Sequence, residues 1–156
     1  MVIISIAAGL PDEEATTKRL LRNGPDMAAT LTPLYGTEKA NKFDELIVEH
    51  LVLAVQLVKA AKAGNSAKAA EIEKKWYKNA DDIAVLVASI NPYWSEDEWK
   101  KMLHEHLRLV KAQAVLRLEK DYAADVALYD EYEEQALVMA DMMMRGVVQQ
   151  FPASFA

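Results

Sequence analysis

The chain has no cysteine, which excludes disulfides, thiolate zinc sites and a cysteine nucleophile. Glycine and proline number only five each among 156 residues, too few for a collagen, a linker-rich array or a disordered tail. Long hydrophobic runs are missing as well. The longest near the start, Val2 to Leu10, is too short to span a bilayer and lacks the basic flank of a secretory signal. No Gly-rich phosphate loop occurs, and none of the five serines sits in a nucleophile-elbow context. Nothing addresses the chain to a membrane, so the expectation is a cytoplasmic protein with neither membrane nor nucleic acid as partner and with no catalytic residue to name.

An excess of positive charge is also lacking. Residues 1 to 120 hold 17 acids and 17 bases; residues 121 to 156 hold seven acids, Asp121, Asp125, Asp130, Glu131, Glu133, Glu134 and Asp141, against Arg145 alone. The whole net charge of -6 therefore sits in the last segment. Phosphate backbones need clustered Lys and Arg, so cations or basic partners are the ligands such a segment suits, if it is more than a solvated helix face.

What is present in abundance is helix-forming sequence. Breakers fall at Gly9-Leu10-Pro11, Pro33 to Gly36, Gly64-Asn65 and Asn91-Pro92-Tyr93, with a softer one at Lys120-Asp121. Between them, segments rich in Ala, Leu, Glu, Lys and Met repeat their apolar residues at three and four. The pattern predicts helices over 12–34, 37–63, 66–90, 95–119 and 122–149, preceded by a stub at 2–8. Ser95 with Glu98 forms a capping box that opens the fourth of these. Short connections imply a single all-α domain over 1–156, an antiparallel up-and-down bundle of five long helices plus the short N-terminal one. The stub leaves a groove that a second copy could cover, and a homodimer follows as one expectation. Trp76, Trp94 and Trp99, with Tyr77 and Tyr93, are expected to pack one hairpin end. Met139 and Met142 to Met144 are expected to fill core gaps, and Gly24-Pro25 to kink its helix.

Sliding the sequence by 56 residues superposes Asn23 on Asn79, Asp26 on Asp82, Ala28 on Ala84, Glu49-His50-Leu51 on Glu105-His106-Leu107, and Asn79 on Gln135. The expected unit is a repeated helical hairpin. Run backwards, the same offset places the counterpart of His50 ahead of Met1. Taking the turns as mirrors, Asn23, His50, Asn79, His106 and Gln135 fall at one height. His50 and His106 occupy the apolar stripes of their helices, among Phe43, Leu46, Ile47, Leu53 and Leu57 in one case and Trp99, Met102, Leu103, Leu109 and Val110 in the other. His104, Glu49 and Glu105 turn toward the polar face.

Buried polar side chains at one level have to be satisfied, and two readings account for the layer. One is a structural belt that fixes register. The other is a site in the bundle core, with His50 and His106 as nitrogen ligands and Asp26, Asp82 or Glu134 supplying oxygen to a divalent metal such as Zn, Mn or Fe, while Asn23, Asn79 and Gln135 hold a small polar ligand. The preferred function is a binding protein for such a metal or ligand. The alternatives are a self-associating structural protein and a metal-dependent oxidoreductase; no Glu-x-x-His pair of the di-iron type occurs. A purely architectural layer predicts that replacing both histidines by leucine costs little.

Arg19-Leu20-Leu21-Arg22-Asn23, Pro33-Leu34-Tyr35-Gly36, Asn79-Ala80-Asp81-Asp82-Ile83-Ala84, Asn91-Pro92, His106-Leu107, Met139-Ala140-Asp141 and Gln150-Phe151-Pro152 together resemble a group of small bacterial all-helical proteins, ferritin-like or hemerythrin-like in general appearance and without an established activity. The resemblance covers nearly the whole chain. It implies a bundle and an earlier segment with Trp and His completing the first helix. It also implies that, of a three-histidine metal set, only His50 and His106 carry over.

Overall fold

In the computed structural model, which describes residues 1–155, every regular element is helical. The elements are α1 (Val2–Ala8), α2 (Glu13–Leu21), α3 (Asn23–Tyr35), α4 (Thr37–Lys62), α5 (Ser66–Ile90), α6 (Glu96–Glu119) and α7 (Tyr122–Gln150), closed by a 3-10 turn at Pro152–Ser154. No strand occurs among the described residues. Consecutive long helices pack on one another, α3 on α4, α4 on α5, α5 on α6 and α6 on α7, while α1 lies against both α4 and α6. Three starts carry side-chain caps: Asn65 accepts from the Lys68 amide at 3.0 Å, Ser95 from Glu98 at 3.4 Å and Asp121 from Ala124 at 3.1 Å. Each satisfies one of the amides that a helix start leaves without a partner.

The expected helix over 12–34 is two. Pro25 has no N–H for the carbonyl of Leu21, and its ring would press on that oxygen. The chain accordingly leaves helical bonding at Arg22 and restarts at Asn23, which puts Pro25 in a first turn where no amide is required. At the break α3 approaches α4 closely: a Cβ on Gly24 would come within 2.5 Å of the Asp44 carboxylate and 2.6 Å of Val48.

The main core runs from α3 to α7 through Leu31, Phe43, Leu53, Trp76, Ile83, Val87, Leu103 and Leu107. A smaller cluster of Ile6, Val55, Val58 and Ala114 seats α1. One end of the molecule is closed by aromatic rings. Tyr35 meets Trp94 at 5.7 Å and Phe151 at 5.3 Å, and Trp94 meets Trp99 edge-on at 6.1 Å. Trp76 does not join them, contrary to expectation; it is buried beside His50. Tyr93 faces solvent. Met139, Met142 and Met143 pack on the core and Met144 points outward. No helix among the described residues is long and apolar enough to cross a membrane.

Candidate functional site

Two side-chain clamps form the polar layer, and their parts correspond. On α4, the apolar stripe of Phe43, Leu46, Leu53 and Leu57 turns inward and carries His50 with it, leaving the residue 8% exposed. Its Nδ1 lies 2.8 Å from Oδ1 of Asn79 on α5, and the Asn79 amide nitrogen donates to the Leu46 carbonyl and to Glu49 Oε2, both at 3.1 Å. On α6, His106 Nδ1 lies 2.9 Å from Oε1 of Gln135 on α7, whose nitrogen donates to the Met102 carbonyl at 3.0 Å. Each imidazole is also covered by an aromatic ring. Trp76 lies 5.3 Å from His50 at 39°, and Tyr132 lies 5.2 Å from His106 at 33°. Adding 56 to His50, Asn79, Leu46 and Trp76 gives His106, Gln135, Met102 and Tyr132.

The hydrogen bonds fix the protons. Because each carboxamide nitrogen donates to a main-chain carbonyl, its oxygen must face the imidazole, since a flip would set oxygen against oxygen. Nδ1 is therefore the protonated nitrogen, and the lone pair of the neutral ring is on Nε2. Burial is the largest influence on His50 and pushes its pKa down to about 4; the Asn79 hydrogen bond works against this, and the charge of a protonated His106 works with it. His106 is shifted down as well, mainly by burial, against the Gln135 hydrogen bond. Both rings are neutral at pH 7.

Both histidines line one cavity of about 920 Å³, bounded by α1, α2, α4, α6 and α7, with Trp76 of α5 and Asn23 at the start of α3 also in its wall. Neither Nε2 has a hydrogen-bond partner among the described residues. Trp76 and Tyr132 share the wall, as do Asn23, Gln113 and Arg117, the last paired with buried Asp125. The indole N–H of Trp76 and the Nε of Arg117 are buried without a partner.

The remaining expected site residues are placed elsewhere. Asn23 borders the cavity but accepts from Arg19 at 3.1 Å rather than joining a clamp. Asp26 pairs with Arg22 at 3.1 Å on the surface, Asp82 pairs with Lys78, and Glu134 is exposed. Among the described residues no three His, Asp or Glu side chains group as a metal ion would require. His104 faces outward, 2.8 Å from Asp81. The expected harmlessness of removing both histidines has to be corrected, because each is paired with a carboxamide and not with the other. Their joint loss leaves the side-chain oxygens of Asn79 and Gln135 without a donor, while their nitrogens keep Leu46, Glu49 and Met102, and an unpaired buried acceptor is costly. The chain matches no family model, no curated protein and no solved structure.

Proposed function

We propose that this is a binding protein whose two imidazoles present Nε2 lone pairs to a divalent metal, or to a small polar ligand with N–H or O–H donors, in the cavity beneath α1. The observation that carries the reading is the tautomer. A carboxamide oxygen that holds Nδ1–H is the arrangement that orients a metal-ligating histidine and raises its basicity. The ligand set is nitrogen-rich, which suits zinc above manganese, and open coordination positions are left for solvent or for a ligand donor. His50 and His106 are the residues of this proposal; Asn79 and Gln135 position them. The paired hairpins of the 56-residue offset would then present one imidazole each.

Zinc added in about hundredfold excess over its Kd should stabilise the fold by about 2.7 kcal/mol. Thermal unfolding in zinc and in EDTA measures this directly. The rise should vanish in His106→Gln, whose own melting in EDTA reports whether it folds. No rise with zinc, manganese or iron would end the metal reading.

A second reading, the structural belt, is favoured by the complete pairing of both Nδ1 atoms. It is tested by stability alone. Asn79→Leu leaves the His50 N–H buried without an acceptor and should cost about 1–3 kcal/mol, whereas His50→Leu with Asn79→Leu removes both partners and should recover most of that loss. Urea unfolding of the two variants in EDTA gives the comparison; a double variant no better than the single one would deny the clamp its pairwise character.

A further inference from the structure

The two clamps match in position but differ in what stands behind the carboxamide. In the first, the Asn79 nitrogen spends its two hydrogens on the Leu46 carbonyl and on Glu49 Oε2, each at 3.1 Å, while the oxygen holds His50 Nδ1 at 2.8 Å. In the second, the Gln135 nitrogen donates to the Met102 carbonyl alone among the described residues. The counterpart of Glu49, 56 residues on, is Glu105. It is engaged elsewhere: Arg108 donates to both of its oxygens, at 2.9 and 2.7 Å, and also to Glu131 at 2.8 Å.

One departure from the repeat accounts for the difference. Arg108 stands three residues after Glu105, a spacing at which side chains on a helix meet, and the same place after Glu49 holds Val52. Valine has no donor to offer, so Glu49 is left to the Asn79 amide. Around it, in a surface hollow between α4 and α5, are Lys74, Lys75 and Lys78. Lys75 holds Glu71 and Lys78 holds Asp82, and among the described residues no cation pairs with Glu49.

Asn79 itself is 3% exposed. In so dry a place a carboxylate polarises the amide that donates to it, and the polarisation passes to the bond that the amide oxygen accepts. A hydrogen bond to an ionised group is also about twice as strong as a neutral one. Negative charge behind the group that holds Nδ1–H makes the opposite ring nitrogen a better donor to a metal.

We infer that Glu49 is a positioning residue that sets the two imidazoles apart: acting through the Asn79 amide, its carboxylate tightens the hold on His50 Nδ1–H and strengthens electron donation from His50 Nε2, making His50 a stronger metal ligand than His106. The ligand ranking rests on the binding function proposed above; the tighter hold on the His50 N–H does not.

Glu49→Gln keeps an acceptor for Asn79 and removes the charge at an exposed position, and circular dichroism checks its fold. In isotopically labelled protein in EDTA at pH 7, the Nδ1–H protons of His50 and His106 are told apart by their contacts with Trp76 and Tyr132. In Glu49→Gln the His50 proton should move upfield while that of His106 stays, and Glu105→Gln, which removes the corresponding charge beside Arg108, should move neither. A merely structural Glu49 would leave the His50 proton in place, and that result overturns the inference, as does an equal displacement of both protons. Zinc affinity measured by chelator competition should fall about tenfold in Glu49→Gln and be unchanged in Glu105→Gln; equal affinity in the two variants overturns the ranking. Wild-type protein that takes up no zinc would end the metal reading alone, and the proton shift would still decide the role of Glu49.

Discussion

Lowering the pH from 7 to 5 should cost this protein about 2 kcal/mol of stability through His50 alone, with His106 adding in the same direction. In the folded chain the His50 pKa is near 4, against an ordinary value of 6.5. Between those values the unfolded chain binds more protons than the folded one, so stability rises with pH across the window. The contribution is fully present above about 6.5, falls as the pH drops, and is gone below about 4, for a total of about 3 kcal/mol. Proton uptake would also put a second donor at Nε2, where the neutral ring has a lone pair, and would abolish any metal ligation. Urea unfolding at pH 7, 6 and 5 measures the slope, above the range in which free carboxylates titrate. The variant carrying His50→Leu with Asn79→Leu should lose most of it. A wild-type stability flat over this range would mean that the imidazole is not held neutral by burial.

Gly146→Ala should lower stability by about 3 kcal/mol, with a fall in Tm of about 6–12 °C. An alanine in a helix ordinarily gains about 1 kcal/mol over glycine, so the sign itself tests the packing. A Cβ at this position would stand 2.0 Å from Nε1 and 2.4 Å from Cδ1 of Trp94. The indole has little room to yield. It is 3% exposed, flanked by Tyr35 and Trp99, and donates to the Met142 carbonyl at 3.3 Å. Either α7 moves off the aromatic end or Trp94 leaves its place, and both open the core. Trp94→Phe removes the pyrrole edge of the ring, so Gly146→Ala should cost less in that background than in the native one. Thermal unfolding of the four proteins followed by circular dichroism decides it; strict additivity would show that the two residues do not meet.

The two effects act on different parts of the molecule. The first reports the layer at His50 and His106. The second reports the aromatic end, where Tyr35, Trp94, Trp99 and Phe151 close the helices, and whose loss would loosen the C-terminal ends of α3 and α7. A zinc-dependent rise in Tm that survives in a destabilised Gly146→Ala protein would further separate binding at the layer from packing at the end.

Much of the fold was written locally, which is why it could be read. Helix periodicity, the capping serine at 95 and the breakers at Gly36, Gly64 and Asn91 act within a few residues of themselves. The same is true of the proline at 25, whose missing N–H and ring act on the carbonyl four residues back, so that the helix is divided at Arg22. The inward rotation of His50 and His106 followed from the stripes that carry them. Trp76 and Tyr132 are also 56 apart in the sequence, and they are the rings that cover the two histidines.

Which side chain meets which was decided only in three dimensions. The sequence placed His50, Asn79, His106 and Gln135 at one height, but a height does not say that the partners are imidazole with carboxamide, two by two. It does not say that Asp26 and Asp82 swing out to Arg22 and Lys78 on their own helices, because a carboxylate three or four residues from a cation is satisfied locally at lower cost than one carried into an apolar core. Nor could it show the cavity beneath α1. A void is a property of the space between helices, set by their separations and by where a short helix stops, and no single segment encodes it.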